Sequence, residues 1–432
     1  MSKKAPESSN LTSGSVALKI ALWGMMIYLT IYTFESPIRY LLYLSRISAV
    51  IVARDALILV PITMIGISGL LRRQLHPAFL VFSAFIFVGS IVSILNFHGL
   101  FQAALGTKIL VNVLFGLVVG AALIAPSKLT ARYLLALWLA TVIGLVLEKY
   151  VVTYPWIGLK TIIGNVQVEI SRDWQIADPE SKRVGGFTKQ SIAAAILLSQ
   201  VALVTVFQFR SYVVRAAFLM VSIGCIYLTT QKGALIGMVL VSGILLLPVT
   251  LRLASLRICA AVAAILVVAL PFLTSGLVMA EGRGGVFSAS SFAMRINDTW
   301  PNSLKWISTA QIFPFGVGVG GIGAGQQLAG SIVQHYPDNM FLLLYAYFGL
   351  PSLLMFGLIL YAIARSFTID PEVAMPALAV LTFNLLYGIV VTVMEDQVSA
   401  LFIGSAIGVL LYASRLPHRR VGVQRPGAVA PV

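Results

Sequence analysis

Hydrophobic residues occur along the chain in long blocks that are separated by short polar turns. An α-helix needs about 20 apolar residues to cross the hydrocarbon core of a bilayer, and in lipid it satisfies its own backbone polar groups. The pattern therefore predicts an all-α polytopic membrane protein with about twelve transmembrane helices. The predicted spans lie near 18–34, 48–70, 78–97, 108–126, 132–150, 190–209, 213–230, 233–250, 258–277, 339–364, 373–394 and 398–414.

These spans form one membrane domain, at 18–414, between an N-terminal tail at 1–17 and a C-terminal tail at 415–432. The first 15 residues are polar, and the hydrophobic block that follows them has no small-residue cleavage site. We therefore expect an uncleaved first span and not a signal peptide.

Alternate turns between the spans differ in charge and in length. On one side the turns are short, and their basic residues are Lys3, Lys4, Arg72, Arg73, Lys128, Arg132, Arg210, Arg215, Arg252, Arg257 and Arg365, with Arg415, Arg419, Arg420 and Arg425 in the tail. The positive-inside rule predicts that this side and both termini are cytoplasmic. The other side carries two long loops, at 151–188 and 278–338. Long loops are usually functional or disordered, so we expect any chemistry on this outer side, which is periplasmic in a Gram-negative cell.

Composition agrees with a membrane protein. Of the 432 residues, 59% are hydrophobic and only 10% are charged, with a mean hydropathy of +0.95. A soluble chain of this length could not cover so much apolar surface, whereas lipid can. The net charge of +15 is spread between the spans instead of lying in one arm, so we expect no nucleic-acid partner. Both cysteines, Cys225 and Cys259, lie in apolar stretches and are expected to be packing residues.

The first basic motif, at 183–191, lies where the first long loop meets the sixth span. Arg183 and Lys189 flank two glycines, one of which is Gly186. Glycine lets the backbone approach a ligand, and a helix N-terminus favours an anion. The motif predicts an anion-binding segment, and the alternative is an interfacial anchor whose bases reach the membrane surface.

Two further motifs on the outer side carry basic residues. Lys232 is a lone cation in a very short turn between the seventh and eighth spans, where the alternative is a simple turn. Arg295 and Trp300 are predicted to lie on an amphipathic helix in the second long loop. The glycine-rich run at 313–325 that follows is predicted to approach a substrate channel closely.

The fourth motif, at 335–342, leads into the tenth span. Asp338 is a natural general base, and His335 could assist it or orient a substrate. The alternative is that Asp338 and Asn339 only cap the helix.

Several charged residues also lie close to the outer ends of predicted spans. They are Glu35, Arg39, Arg54, Asp55, Glu148 and Lys149. Charges at such depth usually pair with one another, so we expect a structural role, and the alternative is that they line a cavity.

In their order along the chain, these segments resemble the superfamily of O-antigen ligases and Wzy-type polysaccharide polymerases. The resembling elements are Arg-x-Gly-Gly-Phe at 183–187, Thr-x-Lys-Gly-Ala at 230–234, an Arg with a downstream Trp at 295 and 300, Pro-x-Gly-x-Gly-x-Gly at 314–320, and Asp-Asn-x-x-Leu at 338–342. The resemblance covers about residues 180–365, and the N-terminal half matches in hydropathy alone.

The resemblance implies a glycosyltransferase that needs no metal and no cofactor, in the bacterial cytoplasmic (inner) membrane with its site facing the periplasm. Its donor is an oligosaccharide linked to undecaprenyl pyrophosphate. It implies that Arg183 and Arg295 hold the pyrophosphate with support from Lys232, and that Asp338 deprotonates the acceptor hydroxyl. Further candidates for contacts to pyrophosphate or sugar are Lys189, Gly186, Asn339 and Trp300. Besides the lipid bilayer, chain-length regulators and export proteins of the same pathway are expected partners.

One departure bears on the reaction. Ligases of the superfamily usually carry histidine where this chain has Asp338, and here the histidine is His335. This favours a polymerase, most similar in appearance to those of secreted exopolysaccharides such as xanthan. Two alternatives stay open: ligase-type transfer to another acceptor, and a lipid-linked oligosaccharide flippase or other transporter. A transporter is expected to show internal repeats, broken helices at the midplane and charges within its spans.

Overall fold

The computed structural model describes residues 12–71, 77–96, 98–163, 166–171, 182–280, 289–312, 314–329 and 334–412. The predicted basic residues of both termini, and Arg72 and Arg73, lie outside the described residues.

The described part of the chain is largely helical. In its first half the α-helices are α1 (Thr12–Thr33), α2 (Glu35–Leu44), α3 (Ala56–Leu71), α4 (Pro77–Leu95), α5 (Leu100–Ile124), α6 (Lys128–Tyr150), α7 (Ser191–Thr205) and α8 (Tyr212–Leu228). They continue with α9 (Lys232–Leu245), α10 (Val249–Leu273), α11 (Ser290–Met294), α12 (Trp300–Ile307), α13 (Ala324–Leu328), α14 (Met340–Phe348), α15 (Ser352–Arg365), α16 (Pro371–Gly388) and α17 (Gln397–Tyr412).

Within the described residues, seven helical segments are long and apolar enough to cross a membrane. They are Val16–Thr33, Ser48–Leu71, Pro77–Leu95, Leu100–Ile124, Lys128–Tyr150, Ser191–Gln208 and Val249–Leu273. Many large apolar side chains on the outer faces are exposed, for example Trp23, Phe87 and Val213 at 62%, 67% and 74%. Such a surface is expected against lipid, so the chain is an all-α polytopic membrane protein. The number of twelve spans and their sidedness stay predictions.

Four helices, α5, α7, α16 and α17, form the centre of the bundle and are buried along most of their length. The closest packing joins α5 to α17 through glycines. A Cβ atom added at Gly116 would lie 2.1 Å from the Leu401 carbonyl oxygen, and one at Gly404 would lie 2.1 Å from the Val113 carbonyl oxygen. Small residues let two membrane helices approach to backbone contact, which is how this pair is built.

The predicted tenth span is not one helix, and that prediction was wrong. α14 ends at Phe348 and α15 begins at Ser352. Gly349, between them, has a φ of 62°, and its Cβ would lie 1.7 Å from the Pro314 carbonyl oxygen. The glycine-rich run therefore packs into the break, which a continuous apolar pattern does not reveal.

Both predicted outer loops contain secondary structure. The first holds a small antiparallel hairpin of β1 (Lys160–Ile163) and β2 (Val166–Glu169), which is an exception to the all-α prediction. In the second, α11 continues through a π-helical turn (Arg295–Thr299) into α12. The prediction that Arg295 and Trp300 lie on one helix is confirmed.

Candidate active site

Three basic side chains from separate segments meet at one end of the bundle. Arg183 precedes α7, Lys232 begins α9, and Arg295 begins the π-helical turn. Burial lowers the pKa of the Arg183 guanidinium, Tyr387 raises it, and the positive charge of Arg295 lowers it further. Lys232 in turn lies within electrostatic range of Arg183. The three cations are therefore neighbours, although they are far apart in sequence.

The Asp338 carboxylate pairs with Arg295, one member of this basic cluster. Its Oδ2 lies 3.3 Å from Nη2 of Arg295, and the two side chains are 38% and 17% exposed. Nη1 of Arg295 also donates to the Ser291 carbonyl, while its Nε is buried without a hydrogen-bond partner. Burial raises the pKa of the Asp338 carboxyl group, and the Arg295 charge lowers it. A carboxylate therefore lies next to a guanidinium group, which is the side-chain group best suited to bind phosphate.

The backbone of Asp338 is in the left-handed region, with a φ of 42°. Few non-glycine residues adopt it, and aspartate is among those that tolerate it best. This conformation places Asp338 just before α14 instead of in its first turn.

Trp300 contacts the backbone of Asp338. Its indole is fully buried, and Nε1 donates to the Asp338 carbonyl oxygen at 3.4 Å. Ile296 and Leu342 pack around it. The structure therefore assigns Trp300 a positioning role and not the substrate contact that the sequence suggested.

Asn339 is a buried helix cap. Its Oδ1 accepts from the Leu342 N–H, and its Nδ2 donates to the carbonyls of Val267 and Ile389. Because the side chain is fully buried and its amide is used by these backbone groups, the capping alternative describes Asn339 and the predicted sugar contact does not.

His335 packs face to face on Trp306, with ring centroids 4.5 Å apart. Burial lowers the pKa of its imidazole. Among the described residues it makes no hydrogen bond or ion pair with Asp338, whose charged partner is Arg295. The backbone of His335 instead joins the glycine-rich run, because its carbonyl accepts from the Gly323 N–H at 2.9 Å. A catalytic role for His335 stays a prediction.

Gly186 and Lys189 have other partners than the basic cluster. The Glu148 carboxylate accepts from the N–H groups of Gly185 and Gly186 at 3.0 and 2.5 Å. A Cβ at Gly186 would lie 3.0 Å from the backbone of Gly144 on α6, so the glycines permit helix packing and not approach to a ligand. Lys189 acts electrostatically on Glu35, in a different cluster. The predicted ligand contact of Gly186 is therefore corrected, and that of Lys189 stays a prediction.

The charges near the outer ends of α1 to α3 are paired, as the sequence suggested. The Glu35 carboxylate contacts Arg39 at 2.6 Å and Arg54 at 2.9 Å, and Asp55 contacts Lys108 at 2.6 Å. Burial raises the pKa of Glu35, but Arg54 and Arg39 lower it to about 2. This network neutralises charge inside the protein, which favours the structural interpretation.

Three polar residues lie beside the cations; Tyr387 was not named from the sequence, and Thr230 and Gln231 of the motif at 230–234 were given no role there. Tyr387 is fully buried, and its hydroxyl donates to Oε1 of Gln231 at 3.4 Å. Gln231 donates to the Ser191 hydroxyl at 3.0 Å, which joins α9 to the start of α7. Thr230 has a φ of 57°, and its hydroxyl is buried without a partner. A strained threonine with an unused donor is typical of a functional turn.

A second missed feature is the acidic pair at the start of α17. Glu395 accepts from the Ala324 N–H at 2.7 Å and from the Thr392 hydroxyl at 3.0 Å. Burial raises its pKa to about 7. Asp396 accepts from the Tyr32 hydroxyl and from the first N–H groups of α17. Two adjacent acids between predicted spans were the available signal.

No group of three or more His, Cys, Asp or Glu side chains in the described ranges could hold a metal ion. No protein-family model matches the sequence, and no curated protein matches it.

Proposed function

We propose that this protein is a membrane glycosyltransferase that polymerises lipid-linked oligosaccharide repeat units into exopolysaccharide. The supporting observation is that Arg183 lies within electrostatic range of both Lys232 and Arg295, and that Arg295 pairs with the Asp338 carboxylate. Guanidinium groups bind phosphate oxygens in a bidentate manner, so Arg183 and Arg295 are suited to a pyrophosphate donor.

The proposed step is a displacement at the anomeric carbon of the donor sugar. Asp338 takes the proton of the acceptor hydroxyl, whose oxygen forms the new bond to that carbon. The bond between the carbon and the pyrophosphate oxygen breaks, and its electron pair leaves with the pyrophosphate. Arg183, Arg295 and Lys232 stabilise the charge on this leaving group.

The ion pair of Arg295 with Asp338 implies that the donor binds before Asp338 acts as a base. Without a donor, Arg295 neutralises the carboxylate at 3.3 Å. A bound pyrophosphate competes for the guanidinium, and Asp338 then loses a neighbouring positive charge and becomes a stronger base. Donor binding would therefore prepare the base before the acceptor reacts.

A lipid-linked oligosaccharide flippase is a second candidate, because the helix break between α14 and α15 is a feature of transporters. The two functions differ in product. A polymerase lengthens the glycan, whereas a flippase moves the lipid across the bilayer unchanged.

The test is incubation of the purified protein in nanodiscs with an undecaprenyl-pyrophosphate-linked repeat unit, without nucleotide and with a chelator. A ladder of longer lipid-linked glycans on a gel is expected. Arg295→Gln should abolish the ladder, while Lys305→Gln, an exposed cation on the same helical segment, should not. Transport in sealed vesicles without any ladder would assign the protein to the flippases, and a ladder that disappears with chelator would overturn the metal independence.

A further inference from the structure

Two arginines and four apolar side chains line a small cleft, with room for about one water molecule, at the other end of the bundle. Arg215 lies in the first turn of α8 and Arg252 in the first turn of α10. The walls of the cleft are Val206, Phe207, Leu219 and Leu245.

The helix directions place this cleft opposite the candidate active site. α7 begins at Ser191, beside Gln231, and ends at Thr205, beside the cleft. α9 begins at Lys232 in the basic cluster and ends at Leu245 in the cleft wall. The two sites therefore face opposite leaflets of a membrane that this bundle crosses.

Each arginine is anchored through Nε alone. Nε of Arg215 donates to the Phe209 carbonyl and Nε of Arg252 to the Leu247 carbonyl, both at 2.6 Å. In the part of the chain that the structure describes, neither guanidinium has a carboxylate within ion-pair distance. The Nη groups are thus held in fixed orientations, with their donors available to a ligand.

The arginines also repel one another. Arg252 is only 8% exposed and lies within electrostatic range of Arg215. Two like charges beside apolar walls cost free energy unless an anion lies between them. The cleft is therefore arranged for an anionic group.

We propose that Arg215 and Arg252 bind the phosphate of an anionic phospholipid at the mouth of this cleft, with an acyl chain over the exposed apolar side chains of α8 and α10. Arginine pairs suit phosphate geometry, and basic pockets between membrane helices bind anionic headgroups. Exposed Val213, Val249 and Leu251, at 74%, 66% and 53%, lie in the same first helical turns as the two arginines and would face lipid. This setting favours a lipid over free phosphate, and the proposal is independent of the reaction at the other end.

The test is a binding titration followed by native mass spectrometry on delipidated protein. Wild-type protein, Arg215→Gln/Arg252→Gln and Lys128→Gln/Arg132→Gln are each titrated with phosphatidylglycerol, phosphatidylcholine or inorganic phosphate. Lys128 and Arg132 are exposed cations at the same end and outside the cleft, so their variant controls for the loss of surface charge. The cleft variant should bind phosphatidylglycerol about 30-fold more weakly than wild type, and the control should bind it normally.

Equal weakening in the control, or no weakening in the cleft variant, would overturn the proposal. So would displacement of phosphatidylglycerol by inorganic phosphate, or equally tight phosphatidylcholine, because the site would then not select an anionic lipid. Should the cleft variant not fold, the wild-type competition decides alone: retained phosphatidylglycerol that neither competitor displaces supports the site, and displacement rejects it.

Discussion

Asp338 has a left-handed backbone conformation and a charged partner, Arg295. Its charge can be removed without a change of backbone conformation. Asparagine tolerates the same backbone region. Asp338→Asn should fold normally and lose activity by about a hundredfold to ten-thousandfold, which is the usual contribution of a general base. The rate of ladder formation and the melting temperature measure the two effects. The matched control is Asp298→Asn, because Asp298 is an exposed acid of the π-helical turn. If the Asp338→Asn variant were as active as this control, Asp338 would not be the general base.

Glu395 predicts a dependence of stability on pH. Its pKa is raised from the model-peptide value of 4.5 to about 7 in the folded protein, so the folded state binds the proton more tightly than the unfolded state. This contribution to stability is complete below about pH 4.5 and is lost as the pH rises to about 7. Glu395→Gln should therefore gain in melting temperature relative to wild type over this range. A constant difference between the two proteins from pH 4.5 to 7 would contradict the burial of an ionisable group here.

For single residues, the sequence indicated which charged side chains belong to the candidate site, but not which groups they contact. Arg183, Lys232, Arg295 and Asp338 could be named from the sequence because they recur in ordered motifs, and their roles in a reaction stay predictions. Capping by Asn339 was one of the alternatives from the sequence, but the two carbonyls that its Nδ2 meets were not predictable, because a hydrophobic pattern does not say which distant groups an amide will contact. Hydrogen bonds to distant backbone groups exist only after the helices pack.

Helix packing depends on glycine between α5 and α17. Gly404→Val would place side-chain atoms against the Val113 carbonyl oxygen, which lies 2.1 Å from the position of a Cβ. We expect a loss of about 1–3 kcal/mol of stability, as for overpacked cores. Gly224→Val on α8, where nothing lies within 4 Å, is the control. Thermal unfolding in detergent should separate the two variants, and equal melting temperatures would show that the helices are farther apart.

The break between α14 and α15 predicts a local effect on the site. Gly349→Ala would force a side chain into the left-handed region and against the Pro314 carbonyl oxygen. The glycine-rich run should shift, and glycan polymerisation should fall at least tenfold, with the protein still in the membrane. Gly357→Ala on α15, with open space around it, should keep full activity. Normal polymer from both variants would show that the break does not position the site.

The sequence predicted that the segment of α14 and α15 is helical, but not that the helix is broken between them. Apolar residues continue from α14 through Leu350 to α15, so hydropathy alone joins them. Gly349 and Pro351 were visible in the sequence, but both occur inside membrane helices as well. The decisive contact comes from Pro314, which belongs to another segment.

For the whole molecule, the two ends of the bundle should be accessible from opposite sides of the membrane. In a background that lacks Cys225 and Cys259, Tyr336→Cys should react with a membrane-impermeant thiol reagent applied from the periplasm. Arg210→Cys should react only after the membrane is permeabilised. Both positions are exposed, so burial does not explain a difference. Labelling of both from one side would contradict the predicted orientation.

The position of α17 has a consequence for biosynthesis. Its closest partner, α5, enters the membrane long before it, since all of α6–α16 are translated between them. The glycine face of α5 must therefore be exposed to lipid, or be covered by another helix, until α17 packs against it. The centre of the bundle therefore closes only after α17 has been made, and a chain cut before α17 would keep its inserted helices but lack the centre around which they close.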